Sequence, residues 1–172
     1  MNTPKLVNDV AIIQRTGNAE LASFALAAAA ATSTIEVFEG EIGVVDATGD
    51  VSVSDGGTGY EVGDLLTITP TNGGTPAVYE VATLTVTAVA TVTLVTAGSG
   101  FVSGGTYETT TDGAGTDATL DTDTVDNTLA TSLGKISCVA NTSEVQHLCT
   151  LAKDGISALV TGASAKGYLY YK

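Results

Sequence analysis

The sequence contains no tryptophan, only three phenylalanines and a single histidine, so bulky aromatic side chains contribute little to its core. Glycine, alanine, threonine and valine dominate instead. With 44% hydrophobic residues the chain can still bury a core, which excludes disorder throughout its length. Small and β-branched side chains favour strands, and we therefore predict a mainly β protein.

Basic residues are absent from a long central stretch. Residues 16–134 contain no lysine or arginine but sixteen aspartates and glutamates, and the whole chain has a formal charge of −13. The central carboxylates have no basic partner in this stretch, so we expect them to be solvated, to bind cations or to face a basic partner. Because phosphate contacts require lysine or arginine, the composition excludes nucleic acid as a ligand of this stretch.

Membrane, secretory and zinc-binding signatures are also missing. Residues 1–18 lack a basic region followed by an apolar run, and the apolar residues 21–31 are shorter than the ~20 residues that span a bilayer. We therefore expect no secretory signal and no membrane partner. Cys138 and Cys149, even with His147, do not complete a four-ligand zinc site, and we predict reduced, buried cysteines.

The two ends, residues 1–41 and 125–172, are predicted to form one small α+β unit for anchoring and assembly. A helix is predicted from Ala19 through the alanine run after the candidate cap Asn18. A second helix is predicted around His147, with Gly155 as its stop. The segments TSTIEVFEGEIG, ISALV and KGYLYYK are predicted to be strands.

Residues 42–124 contain an internal repeat with a period of 41 residues and no gap. GGTGYEVGD at 56–64 corresponds to AGSGFVSGG at 97–105, and the Gly-Thr-x-Ala segment at 74–77 corresponds to the one at 115–118. Each copy divides into short strands and turns, and the second copy is predicted to bend near residues 87–91. We predict an antiparallel β-sandwich or barrel-like module built from two copies of one unit.

The glycine-rich element is predicted to turn the chain and not to cradle a phosphate. It has no nearby lysine, and strands flank it on both sides, unlike a Walker or dinucleotide-binding loop. Since Gly105 replaces Asp64 in the second copy, we interpret that carboxylate as dispensable. The predicted structural turn residues are Gly57, Gly59, Tyr60, Gly63, Asp64, Gly98, Gly100, Phe101 and Gly104.

Calcium is an open alternative for part of the acidic stretch. DGAGTDATL at 112–120 resembles a single unit of a calcium-binding β-roll, and the calcium candidates next to it are Asp121, Asp123 and Asp126. Neither a tandem array nor an EF-hand loop is present, so solvated turns are the main expectation, without metal or cofactor. Catalysis is not expected, because the one histidine has apolar neighbours and no Gly-x-Ser-x-Gly elbow occurs.

The repeat resembles a module of tailed-bacteriophage virion proteins, including capsid decoration, head-fibre and tail proteins. The resemblance covers about residues 44–124 and is carried by Gly57, Gly59, Tyr60, Gly63, Asp64, Leu66, Gly98, Gly100, Phe101, Gly113, Gly115, Thr116 and Ala118.

The resemblance implies a non-enzymatic structural protein, most specifically a capsid decoration (cement) protein that bridges subunits of the major capsid protein. It implies a homo-oligomer, with a trimer favoured, that is assembled in the host cytoplasm and located on the capsid surface of the virion. The alternative is a tail or head-fibre adhesin module that binds a host surface glycan or protein.

Overall fold

A computed structural model describes residues 5–8, 11–15, 19–28, 31–71, 73–128, 130–152, 156–161 and 165–171. The chain divides into unit 1, Met1–Ile42 with Asn127–Lys172, and unit 2, Gly43–Asp126. These boundaries lie within about two residues of the predicted ones. The described regular structure consists of strands and one short 3₁₀ turn, Thr48–Asp50, so the predicted mainly β, antiparallel fold is confirmed.

The strands follow one another as β1 (Lys5–Asn8), β2 (Ala11–Arg15), β3 (Ala19–Ala27), β4 (Ser33–Glu39), β5 (Val51–Thr58), β6 (Leu65–Ile68), β7 (Ala77–Thr85), β8 (Ala88–Thr96), β9 (Gly105–Thr111), β10 (Thr116–Thr122), β11 (Thr131–Cys138), β12 (Ser143–Ala152), β13 (Ile156–Thr161) and β14 (Lys166–Tyr171). The strands predicted in TSTIEVFEGEIG, ISALV and KGYLYYK are present as β4, β13 and β14.

Unit 1 is a sandwich of two four-stranded antiparallel sheets, with strand orders β1-β14-β3-β12 and β11-β4-β13-β2. Successive strands alternate between the sheets, except for β4 and β11. These two strands flank unit 2 in the sequence and pair directly with each other. This strand order is that of an eight-stranded jelly roll, and unit 2 is inserted between its fourth and fifth strands.

The inner faces of the two sheets of unit 1 enclose one apolar core. Phe24 and Leu26 from β3 belong to the same buried cluster as Ile35 from β4 and Val160 from β13. On β14, a Cβ added to Gly167 would lie 2.7 Å from Cγ2 of Val160. The absence of a side chain at Gly167 therefore lets the two sheets approach closely.

Both predicted helices are wrong. The alanine-rich segment forms β3, the segment around His147 forms β12, and the two strands pair with Phe24 opposite Gln146. Alanine favours helix in isolation, but Phe24 and Leu26 lie two residues apart and face the sandwich core together. Packing thus overrides helix propensity, and the predicted α+β unit is all β where it is described. Asn18 and Gly155 lie outside the described residues.

Unit 2 is a single six-stranded sheet with the order β5-β10-β9-β6-β7-β8, curled into a nearly closed barrel. The first repeat supplies β5, β6 and β7, and the second supplies β8, β9 and β10. Exchanging the repeats gives the same order read backwards, so a pseudo-twofold axis passes between β6 and β9. The first strand of each repeat pairs with the third strand of the other, which interlocks the two copies.

The ends of this sheet approach each other at Gly56 of β5, where an added Cβ would lie 2.5 Å from the carbonyl oxygen of Val89 in β8. Inside the barrel the largest fully buried side chain is Tyr79, accompanied by Phe101 and Leu120. The bend predicted near residues 87–91 is a two-residue turn between β7 and β8, so it overlaps the predicted range only at Thr87.

Candidate functional site

The segments 56–64 and 97–105, here glycine element 1 and glycine element 2, each pack against the other repeat. A Cβ added to Gly57 would collide with the carbonyl oxygen of Thr116 and lie 2.6 Å from the nitrogen of Ala118. A Cβ added to Gly98 would lie 2.7 Å from the equivalent atoms of Thr75 and Ala77. The same backbone contact therefore occurs twice, and the chain itself fills the space around these two glycines.

Four further glycines of the two elements shape the turns. Gly59 and Gly63 have φ values of 79° and 98°, and their partners Gly100 and Gly104 have values of 88° and 76°. These values lie in the left-handed region that favours glycine. After each turn the chain is fixed by a matching bond, in which Gly63 N–H donates to the carbonyl of Val81 and Gly104 N–H donates to that of Thr122.

The aromatic residue of each element is buried in the barrel core. Tyr60 is 3% exposed, and its ring covers Gly115 so closely that any side chain there would collide with it. The hydroxyl of Tyr60 accepts a hydrogen bond from the N–H of Ala118 at 3.3 Å. Phe101 is fully buried and packs edge-on against Tyr107, with ring centroids 5.1 Å apart. The two rings therefore act as matching plugs of the core.

Asp64 has a counterpart that the sequence repeat does not reveal. Its carboxylate accepts a hydrogen bond from the N–H of Glu61 at 3.0 Å. In the second copy the equivalent N–H, that of Val102, donates to the hydroxyl of Tyr107 at 3.1 Å. Gly105, at the position of Asp64, makes room for that ring, because an added Cβ would lie 2.9 Å from it. The second copy has replaced the acceptor, so the presence of Gly105 there does not show that the carboxylate of Asp64 is dispensable.

The three calcium candidates have separate partners. Asp121 accepts a hydrogen bond from the hydroxyl of Thr106 at 2.5 Å, and Asp123 accepts one from Ser52 at 3.1 Å. Asp126 pairs through its backbone with Val44. Within the described part of the chain, no three His, Cys, Asp or Glu side chains are grouped so that they could hold a metal ion.

Asp50 has a structural role that sequence analysis missed. Its carboxylate accepts hydrogen bonds from the N–H groups of Asp46 and Ala47 at 2.9 and 2.8 Å, and from the hydroxyl of Thr124 at 2.7 Å. Burial is the largest influence on the pKa of Asp50 and raises it, as does the charge of Asp126. The three hydrogen bonds outweigh both and leave the pKa below its usual value. The turn DATGD is recognisable in the sequence, but the partner Thr124 is remote from it.

Tyr79 places a hydroxyl group in the apolar core of unit 2. Burial, followed by the charges of Asp50 and Asp46, raises its pKa to about 12. Its hydroxyl has no hydrogen-bond partner among the described protein groups. A phenol in this environment stays protonated at neutral pH, which makes it a poor nucleophile or base.

The residues considered for catalysis or metal binding are not brought together in the described structure. His147 and Cys149 lie on β12 and not on a helix, and their side chains lie outside the described part. Cys138 is buried and unpaired. Of three grooves on unit 2, one is lined mainly by threonines, one by valines and small residues, and one by threonines, Ala118 and the carboxylates of Glu108 and Asp117. The described part of the chain contains no helix that is long and apolar enough to cross a membrane.

No protein-family model and no curated protein matches the sequence, and no solved structure matches the fold.

Proposed function

We propose that the protein is a bacteriophage virion structural protein, most specifically a capsid decoration (cement) protein that binds the major capsid protein across subunit boundaries. The observation that carries this proposal is the insertion of an acidic barrel into a jelly roll. Jelly rolls occur in viral capsid domains as well as in lectins and cupins, so the fold alone supports several functions. The charge distribution and the glycine elements favour the first of these.

Charge divides sharply between the units. Unit 2 has twelve acidic residues and no basic one, whereas unit 1 has seven acidic and all six basic residues. A barrel with charge of one sign stays solvated and repels other copies of itself, which suits the outer surface of a particle. Unit 1 is nearly neutral and is therefore the better candidate for contact with the shell and with sister subunits.

The glycine elements support a structural role over a chemical one. In each element, backbone atoms of the other repeat occupy the space beside a glycine, and the aromatic side chain is buried in the core. Such an element stiffens the barrel and leaves little space for a ligand. Binding through buried apolar area, without chemistry, is the mechanism by which this protein would stabilise a shell.

The test compares particles assembled with and without the protein. Decorated particles should melt at a higher temperature than bare ones, and re-addition of the purified chain should restore the difference. Lys166→Glu, on the exposed surface of β14, should weaken rebinding. Glu108→Gln in unit 2 is the control and should bind normally. Identical melting of bare and decorated particles would reject cementing.

The second candidate is a head-fibre or tail adhesin module. It is favoured by the same strand order, because lectin domains also use the jelly roll. A glycan array and a host-cell binding assay with the purified chain distinguish it from the first. Saturable binding to cells or glycans, together with no binding to capsids, would replace the decoration proposal.

A further inference from the structure

The two ends of the barrel in unit 2 differ in their roles. At one end the chain joins and leaves the unit, and Val44 pairs there with Asp126 through hydrogen bonds of 2.9 and 2.8 Å. The eight residues of β5 then run from Val51 to Thr58, a distance of about 23 Å at 3.3 Å per step. The turns that follow β5, β7 and β9 lie at the opposite end, where the chain neither joins nor leaves unit 2. Its loops, residues 59–64, 85–88 and 112–117, are here called the distal tip.

Two valines are exposed on neighbouring turns of the distal tip. Val62 is 64% exposed and Val86 is 91% exposed. The turns are tied together by the N–H of Tyr60, which donates to the carbonyl of Thr87 at 3.0 Å. At the other end of the barrel the repeat partner of Val62 is Ser103, a polar residue. The repeat partner of Val86 is Val45, which is buried, so exposed valines at these two positions are confined to the distal tip.

Val86 is unfavourable for the fold in two ways. It has a φ of 62° at the first central position of a two-residue hairpin turn, where glycine is preferred. The left-handed region is strained for any residue with a Cβ, and β-branching makes it rarer still. Its side chain is almost fully exposed, so burial within unit 2 does not offset this cost. Strain without a folding benefit is characteristic of functional positions.

Every charged residue of the distal tip is acidic. Asp55, Glu61, Asp112 and Asp117 are exposed on or beside the distal tip, and unit 2 contains no lysine or arginine. Like-charge repulsion disfavours nucleic acid, an anionic membrane and the distal tip of a second copy. The surface fits a partner of opposite charge.

We propose that the distal tip is a docking surface for a protein that presents an apolar depression rimmed by lysine and arginine. Val62 and Val86 would fill the depression, and the carboxylates would pair with the basic rim. This inference goes beyond the proposed function and does not depend on it, since it concerns the end of unit 2 opposite its connections to unit 1.

The test uses the full-length chain and a yeast-displayed library of random peptides as the probe. Wild-type protein should enrich peptides that combine lysine or arginine with aliphatic or aromatic residues. Val62→Thr/Val86→Gly should bind the selected peptides about tenfold more weakly, equivalent to about 1.4 kcal/mol. The matched control is Val95→Thr, on β8 outside the distal tip and 52% exposed, which should bind like wild type. Added salt should weaken wild-type binding.

A second measurement separates docking from folding. Val86→Gly should raise the melting temperature by about 2–4 °C, because it relieves backbone strain. The variant would then be more stable and yet bind less well, which a purely structural residue would not produce. The proposal is overturned if the library yields no enrichment or only acidic or neutral peptides. It is equally overturned if the double variant binds like wild type, or if Val86→Gly lowers the melting temperature.

Discussion

Glycine element 1 and glycine element 2 each contain an equivalent backbone N–H donor, but the side chain that accepts its hydrogen bond differs between them. In element 1 the carboxylate of Asp64 accepts a hydrogen bond from the N–H of Glu61. In element 2 the hydroxyl of Tyr107 accepts one from the N–H of Val102. The two solutions require different neighbours, since the ring of Tyr107 needs a glycine at position 105. The comparison teaches that a residue lost from one copy of a repeat can have been replaced from a different position.

The largest effect is expected where the two copies meet through their backbones. Gly57→Ala adds a Cβ that collides with Thr116 and also places alanine at a φ of 56°, so we expect a loss of about 3 kcal/mol or more. Gly104→Ala has a φ of 76° and open space around its Cβ, so strain alone should cost about 1–2 kcal/mol. Urea unfolding measures both. Equal losses would contradict the close contact at Gly57.

A double-mutant cycle tests the exchange of acceptors directly. Tyr107→Leu should cost about 2–4 kcal/mol, because it opens a cavity and leaves the N–H of Val102 unpaired. Gly105→Asp alone should also destabilise, because its Cβ would crowd the Tyr107 ring. Combined, the two changes recreate the first copy, and we expect the double variant to recover about 1–2 kcal/mol relative to the sum. Additive losses would show that the two positions are not coupled.

Two of the three buried tyrosines of unit 2, Tyr60 and Tyr79, should respond in opposite directions to loss of the hydroxyl. Tyr60→Phe removes the acceptor for the N–H of Ala118 and should cost about 1 kcal/mol. Tyr79→Phe removes a buried hydroxyl without a described partner and should add about 1 kcal/mol. Each variant serves as the control for the other in thermal and urea unfolding. A destabilised Tyr79→Phe would show that this hydroxyl has a partner in solution.

The smallest expected effect is a change in the pH dependence of stability. Because the folded-state pKa of Asp50 is lowered, its contribution to stability is present above its ordinary pKa of 3.8 and is lost as the pH falls through the folded value. Asp50→Asn should therefore be modestly less stable than wild type at neutral pH, and the difference should shrink on acidification. Unfolding curves at several pH values measure this. A difference independent of pH would exclude the carboxylate's ionisation as its cause.

The strand content of the repeat could be predicted because alternation and turn glycines are local signals. The strand β3 could not, since its alanines favour helix and only the burial of Phe24 and Leu26 against the second sheet decides the outcome. The period of 41 residues predicts two equivalent copies, but it does not predict that β5 pairs with β10. Such pairing depends on the closure of the whole barrel and leaves no mark on neighbouring residues.

The contacts around the glycine elements were likewise predictable from the sequence only where they are local. The turns themselves were predictable from glycine and aspartate positions, as their local chemistry requires. The link from Asp50 to Thr124 and the substitution of Tyr107 for Asp64 join residues that are distant in sequence or offset in the repeat. Neither follows from spacing, and both become evident only from the positions of the atoms.

The interlocked pairing of the repeats sets an order for folding during synthesis. β5 acquires its partner only when β10 has left the ribosome, and β4 then waits for β11 and β13. The last strand of the barrel is therefore synthesised when only the first four of the eight jelly-roll strands have been made. Because so many pairings span long stretches of chain, folding should be slow, and a truncated chain would expose several unpaired strands at once.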